Sequence, residues 1–271
     1  MGQEKNVFFA FTKVKAKVLS NIAIAPNCYK LSLKGPPSLL KADPGQFINI
    51  RIGNSFSPLL RRPFSISKLI PGGLEIIYKI VGTGTRILST TKKGEYLDII
   101  GPLGRGFTIL PHVREHILVG GGVGVAPLVF LAQRLIEVKS RISVFLGFKK
   151  SEQIICREEF KQNNIVLNIA TDDGSFGYRG TVFSMLEDYI GKLSSSNISV
   201  YACGPLKMLK SIAMLSLKEN IVCQVLLERV IGCGIGACRG CVVEGKRGYL
   251  RVCKEGPVFY ADEILWNKII Y

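Results

Sequence analysis

The stretch "HILVGGGVGVAPLVFLAQRL", His116 to Leu135, decides how the chain is divided. Its first six residues read as a buried strand, and the four glycines Gly120, Gly121, Gly122 and Gly124 form a turn. From Ala126 onward the apolar residues recur at helical spacing. A strand running through a glycine turn into a helix lets backbone N–H groups and a helix N-terminus meet a phosphate. The same glycines would also serve close strand–helix packing alone, so the turn by itself leaves both readings open.

Downstream, "RISVFLGF" is a strand, "SEQIICREEFKQ" a helix, "IVLNIATDDG" a strand, "TVFSMLEDYIG" a helix and "ISVYACG" a strand. "PLKMLKSIAMLSLKEN" follows as a helix and "VCQVLLE" as a last strand. Such alternation predicts a parallel α/β sheet of the dinucleotide-binding type. "ACGPLKML" closes a later strand of that sheet, so Cys203, Gly204 and Pro205 are expected at the same crevice as Gly121, Gly122 and Gly124. After the second strand Lys149 and Lys150 precede Glu152, which leaves NAD and NADP both open.

Upstream the rhythm differs. "KVKAKVLSNIAIA", "CYKLSLKG", "GQFINIRI", "RPFSISK", "LEIIYKIVG" and "GEYLDIIGP" are six short β-rich runs between Gly/Pro turns, the pattern of a small antiparallel barrel. "LLRRPFSISK" sets arginines and serines at the start of one strand, and an arginine neutralises a pyrophosphate in fork geometry. "IYKIVGTGTRIL" leads a strand into Gly82, Gly84 and Thr85, where the backbone is free to approach phosphate. Taken singly, each segment reads as a basic β-hairpin with a polar turn rather than as a binding site.

Past Glu228 the pattern dissolves into "GCGIGACRGC", Gly232 to Cys241, with Cys253 following in "RVCKEGP". The spacing Cys233-x4-Cys238-x2-Cys241…Cys253 is the plant-type [2Fe–2S] pattern. The small residues between the first two cysteines let a loop wrap a cluster and aim N–H groups at its sulfurs. A zinc ribbon would pair two C-x2-C knuckles, and only "CRGC" is present. Cys28, Cys156, Cys203 and Cys223 fall singly in regular runs and read as packed thiols, Cys203 with a possible view of a nicotinamide.

The bulk numbers narrow the class. The 271 residues are 47% hydrophobic and 21% charged, which is globular composition. The start of the chain carries no leader signature, no apolar run reaches the ~18–20 residues of a membrane helix, and a cytoplasmic protein is expected. Disulfides are then disfavoured and metal or redox use of the thiols favoured. The net charge of +16 comes without a nucleic-acid-binding motif, its basic residues being scattered, so no nucleic-acid partner is expected.

In order, "RPFS", "VGTGT", "GPLGRGF", "VGGGVGVAP" and "CGP" resemble the ferredoxin-reductase-like flavoprotein superfamily along nearly the whole chain. That resemblance implies FAD on the barrel, contacted by Arg62, Pro63, Phe64, Ser65, Ile77, Tyr78, Lys79, Gly84 and Thr85, with the nicotinamide nucleotide entering from the second domain. At the cysteine end, "LLERVIGCGIGACRGCVV", "RVCKEGPVFYADEI" and "TDDGSFGYRGTV" look like the electron-transfer subunit family of dihydroorotate dehydrogenase B. It implies Cys233, Cys238, Cys241 and Cys253 as [2Fe–2S] ligands, NAD as acceptor, and an FMN-containing catalytic partner in a heterotetramer of two chains of each kind.

The expected architecture is therefore an α+β multidomain chain: an FAD-binding β-barrel at 1–110, an NAD-binding α/β domain at 111–227 and a [2Fe–2S] domain at 228–271. No catalytic acid, base or nucleophile is expected, because the cofactors carry the chemistry. Two other readings stand beside it: the flavin/iron–sulfur subunit of an NADPH–ferredoxin oxidoreductase, sulfide dehydrogenase or cytoplasmic hydrogenase, and a non-enzymatic zinc-stabilised binding module.

Overall fold

The computed structural model describes residues 12–53, 57–161, 165–193 and 197–269. The N-terminal stretch read for a leader, up to Phe11, lies outside them. The first six strands are β1 (Thr12–Ala25), β2 (Cys28–Lys34), β3 (Phe47–Ile50), β4 (Arg62–Ile70), β5 (Gly73–Lys79) and β6 (Tyr96–Leu103). They close a barrel in the order β1-β2-β5-β4-β3-β6, every pair antiparallel. Alternation fills it: Leu31, Leu33, Ile48, Ile50, Ile66, Ile76 and Ile99 are all fully buried. Closure also removes the edge strands that six short runs would otherwise expose. A short helix, α1 (Thr83–Ser89), follows β5 and presses Leu88 onto the barrel.

The second unit contains β7 (Glu115–Gly121), α2 (Ala126–Glu137), β8 (Arg141–Phe148), β9 (Ile165–Thr171), β10 (Tyr178–Arg179) and α3 (Val182–Ile190). β11 (Ile198–Cys203), α4 (Leu206–Lys218) and β12 (Val222–Leu226) complete it. Its sheet runs β10-β9-β8-β7-β11-β12 in parallel, with a final antiparallel strand, β15 (Val258–Tyr260), beside β12. β15 comes from the cysteine-bearing segment, which also forms a hairpin of β13 (Val242–Gly245) and β14 (Gly248–Arg251). That segment is thus stitched into the larger sheet.

β7 and β11 are neighbours although three strands separate them in sequence, so the order reverses there. In open α/β sheets the crevice outside the carboxyl ends of strands at such a reversal is where ligands bind. α2 covers one face and lies against the barrel, with Phe130 inserted among the barrel's core residues, while α3 and α4 cover the other face.

One expected helix is absent. Residues 151–161 make a single 3-10 turn, Ser151–Gln153, and then bends and turns. Ile154 is extended and Cys156 adopts φ 59°, either of which ends a helix. Ile155, Cys156 and Phe160 are the buried side chains, so the segment fills the core as a loop.

Candidate functional site

A cavity of about 290 Å³ opens between the barrel, the start of α2 and the chain leaving β12. The barrel contributes Arg62, Pro63, Phe64 and Ser65 from β4 and Ile77, Tyr78 and Lys79 from β5. Thr85 reaches it from α1, and Gly124 from the glycine turn. The two adjacent arginines part company. Arg61 is committed to Asp98, with Nη2 2.8 Å from Oδ1 and Nη1 2.8 Å from the Asp98 carbonyl. Arg62 makes only local bonds, to the Leu60 and Arg61 carbonyls, and borders the cavity.

Gly84 lies behind Arg62: a Cβ there would sit 2.9 Å from Nε, so glycine is what lets the guanidinium lie flat on α1. The Thr85 hydroxyl is occupied in the turn, accepting from the Val81 and Gly82 N–H groups at 2.9 and 3.2 Å. Tyr78 keeps its ring inside the barrel, stacked on Tyr29 at 5.7 Å with its hydroxyl donating to Asn21. Burial pushes that phenol up to about 12, so Tyr78 offers the cavity its backbone and not an ionisable group.

The nucleotide crevice is built by backbone contact. A Cβ on Gly124 would lie 2.6 Å from the Gly204 Cα and 2.7 Å from the Cys203 carbonyl oxygen. One on Gly121 would meet Met208 Sδ at 2.7 Å and Pro205 Cδ at 2.8 Å. Gly122, at φ 55°, has open space around it. The turns after β7 and β11 therefore press together and leave their edge free at the crevice. The Cys203 side chain is almost fully buried, and burial pushes its thiol well up, with the charge of Glu228 adding to the shift.

At the crevice's far end, the loops after β8 and β9 are fastened together: Ser151 N donates to Ser175 Oγ at 2.8 Å. Ser175 also donates twice to Asp173 Oδ1, and these bonds, with Lys150 nearby, hold that exposed carboxyl below its ordinary value. The sequence after the second strand offers Lys149, Lys150 and Glu152. Asp173 comes from the next strand, and "TDDG" was its only trace.

The four cysteines come together as two pairs. Cys238 N donates to Cys233 Sγ at 3.4 Å, and Cys253 N to Cys241 Sγ at the same distance. Cys241 and Cys253 are buried, whereas Cys238 is exposed at the surface. Burial raises the Cys233 thiol, but N–H groups of Cys238, Ile235 and Ala237 outweigh it and bring the value down to about 6. Burial pushes Cys253 up to about 12.

Among the described residues, no three His, Cys, Asp or Glu side chains gather as one metal ion would need. Four thiols with N–H groups aimed at two of their sulfurs fit the donor set of an iron–sulfur cluster. Gly234 and Gly236 have φ 79° and 83°, the left-handed turns that a loop around a cluster requires.

Three further residues were not singled out from sequence. Phe47 and Ile231 line the cavity on one side and belong on the other to the same core cluster as Cys241 and Cys253. The apolar packing around Cys241 and Cys253 is thus continuous with the cavity wall. Glu228 faces the cavity, and the surrounding protein desolvates its carboxyl and raises it. An acidic residue at the end of the apolar run "VCQVLL" was the available signal.

Barrel, doubly wound sheet, shared cavity and paired cysteines define the class: a ferredoxin-reductase-like flavoprotein carrying an iron–sulfur segment. The structure of an NADH-dependent reduced ferredoxin-NADP oxidoreductase is similar at a TM-score of 0.83 and 28% identity, over 93% of this chain and 90% of that one. A ferredoxin NADP+ reductase from Neisseria gonorrhoeae with bound FAD and NADP shares the fold at 0.67 and 17% identity, over 77% of this chain and 91% of that one.

The model of the iron–sulfur cluster binding domain of dihydroorotate dehydrogenase B matches residues 228–265, and the oxidoreductase NAD-binding domain matches 118–214. Two relatives are named as electron transfer subunits of dihydroorotate dehydrogenase B (NAD(+)). The one from Caldanaerobacter subterraneus subsp. tengcongensis is 41% identical, covering 94% of this chain and 99% of the relative. That from Desulforamulus reducens is 39% identical, covering 93% and 98%. The chain belongs to this family of electron-transfer subunits.

It is accordingly a subunit of an NAD-dependent oxidoreductase, with FAD, iron–sulfur and NAD as its cofactors and a catalytic subunit as its partner. The readings as a subunit of another assembly or as a zinc-stabilised binding module are not favoured.

Proposed function

We propose that this chain carries electrons from an FMN-containing dihydroorotate dehydrogenase subunit to NAD+ in pyrimidine (UMP) biosynthesis. It would do so in the cytoplasm, within a heterotetramer of two chains of each kind. The supporting observation is that one cavity joins the barrel, the glycine turn and the segment after β12, and that Phe47 and Ile231 on its wall belong to the same apolar cluster as Cys241 and Cys253. No helix among the described residues is long and apolar enough to cross a membrane.

Bound in these sites, FAD supplies hydride exchange with the nicotinamide, and a [2Fe–2S] cluster supplies single-electron exchange with the partner's flavin. The chain's own residues bind and orient. Arg62 meets the pyrophosphate, with Gly84 and Thr85 shaping the turn beneath it, and Pro63, Phe64 and Ser65 lie along the flavin. Ile77, Tyr78 and Lys79 present backbone to the ring system. Gly121, Gly122 and Gly124, with Cys203, Gly204 and Pro205, hold the nicotinamide nucleotide at the β7/β11 reversal. Cys233, Cys238, Cys241 and Cys253 would hold the cluster.

Glu228, its carboxyl raised by desolvation, is placed to hold a proton at the cavity. Functionally we divide the chain at about 110 and 227 into flavin, nucleotide and cluster modules, the last sharing its β15 with the nucleotide sheet.

The test is co-expression with the product of the neighbouring gene, followed by cofactor analysis. The complex is expected to contain FAD, FMN and two irons per cluster chain, and to reduce NAD+ with dihydroorotate. This chain alone is expected only to oxidise NADH with artificial acceptors. A colourless chain with stoichiometric zinc after anaerobic purification contradicts the reading.

A further inference from the structure

Asn49 stands in the middle of β3, in the run "FINI", and is fully buried. A buried amide in an otherwise apolar strand is costly unless it is bonded. Its Nδ2 donates to the carbonyl oxygen of Cys233 at 3.4 Å, across 184 residues of sequence. Its Oδ1 has no partner. The amide is therefore only half satisfied within the barrel, and the half that is bonded reaches the cysteine loop.

The loop comes to meet it. Gly234, at φ 79°, would place a Cβ 2.7 Å from Asn49 Nδ2 and 3.3 Å from Leu103 Cδ1, so only glycine permits this approach. On the barrel side, the pairing of β3 with β6 shifts register between Phe47 and Asn49, two steps of β3 facing three of β6, so the extra residue lies in β6 and β3 keeps its alternation. Phe47 and Asn49 then share a face, the first lining the flavin cavity and the second meeting the loop.

The strand is also braced. Asn49 pairs with Pro63 of the flavin-side strand, and its carbonyl accepts from Arg61 Nη1 at 3.4 Å, the same guanidinium that Asp98 anchors. The Cys253 side of the cysteine segment has separate ties, Arg105 N to Gly256 O at 2.6 Å and Leu227 N to Pro257 O at 2.9 Å.

We propose that Asn49 is a positioning residue that ties the loop of the first cluster ligand to the flavin barrel and fixes the separation of cluster and flavin. The inference rests on the cluster reading above. Electron tunnelling falls steeply with distance, so a loop that drifts from β3 slows transfer without touching the flavin site.

The test uses the purified full chain with its cofactors, Asn49→Leu and Asn49→Ser. Leucine keeps the volume and removes the donor; serine loses volume and lets a bridging water restore the bond. Stopped-flow with NADH is expected to show flavin reduction at the wild-type rate in both. Cluster reduction in Asn49→Leu should slow severalfold, because the freed loop lengthens the tunnelling path, with an altered reduced-cluster EPR spectrum. Asn49→Ser should stay closer to wild type.

A wild-type spectrum and rate in Asn49→Leu, or a larger defect in Asn49→Ser than in Asn49→Leu, overturns the proposal. If Asn49→Leu does not fold, Gly234→Ala decides. It opens the same contact from the loop side and should shift the EPR spectrum likewise; an unchanged spectrum overturns the proposal. Absence of any cluster signal in the wild type would instead fail the cluster reading.

Discussion

The glycine crevice and the cysteine loop are both glycine-rich turns, yet they are held in opposite ways. In the crevice the glycines let backbone lie on backbone, Gly124 against Cys203 and Gly204, under a β7 that is buried along its whole length. In the cysteine loop the chain from Leu227 to Cys241 forms no strand or helix, and Cys238 and Ile235 are exposed. That loop is held by a few polar ties, among them Asn49 to Cys233 and Arg251 Nη1 to the Gly236 carbonyl at 3.0 Å. Backbone packing holds the first site, whereas the second relies on side-chain ties across the fold.

The largest effect should come from the crevice. Gly124→Val forces atoms into the Gly204 backbone, and a cost of about 3 kcal/mol or more is expected. Thermal unfolding would show it as a lowered Tm of the whole chain. An unchanged Tm would mean that the turns are not packed as described.

The next effect belongs to the loop. Cys253→Ser should abolish the cluster and reduce dihydroorotate-driven NAD+ reduction by about a hundredfold or more, since even outer-shell changes cost up to that much. NADH oxidation with an artificial acceptor should persist. Iron removal by a chelator sharpens the contrast: hydrogen exchange should rise across residues 228–241 while β7 and β11 stay protected. Equal loosening of both regions would erase the distinction.

Arg62→Ala tests the flavin side. Loss of one charge-assisted contact to phosphate, about 2 kcal/mol, should weaken FAD binding about thirtyfold. Arg61→Ala should instead lower stability through its broken pair with Asp98, with flavin affinity less affected. Reversed outcomes would reassign the two arginines.

The smallest effect concerns His116, at the opposite end of β7 from the crevice. It is buried and bonded to Ser199 Oγ at 3.0 Å and Tyr201 OH at 3.2 Å, and burial lowers its pKa below 6.5. Burial favours the neutral ring, so its contribution to stability is full above pH 6.5 and is lost as pH falls below that. The drop in Tm between pH 8 and pH 5.5 should be smaller in His116→Gln than in the wild type.

The barrel and the alternating sheet were legible because their periods, two and about 3.6, are written locally in runs such as "LEIIYK" and "PLVFLAQRL". The cysteine spacing was legible for the same reason, all four thiols lying within one short segment. The "SEQIICREEF" helix failed because Ile155, Cys156 and Phe160 are drawn inward by tertiary packing that overrides a helical stripe.

β15 was invisible because three residues gain strand structure only from pairing with β12. Phe47, Ile231 and Asn49 were hidden differently. Phe47 in "FINI" looks like any barrel residue, and its place on the cavity wall exists only once residues far apart in sequence are brought together. Glu228 likewise gains its raised carboxyl from surroundings that the fold supplies.

The central claim is that cavity and cysteine pairs are successive stations of one electron path. Anaerobic titration of the purified chain with NADH, followed by absorbance and EPR, tests it most directly. Bleaching of the flavin band together with a reduced [2Fe–2S] signal approaching one per chain is the expected result. A bleached flavin beside a cluster that stays oxidised while a low-potential chemical reductant reduces it, or a chain with flavin and no iron, would contradict the account.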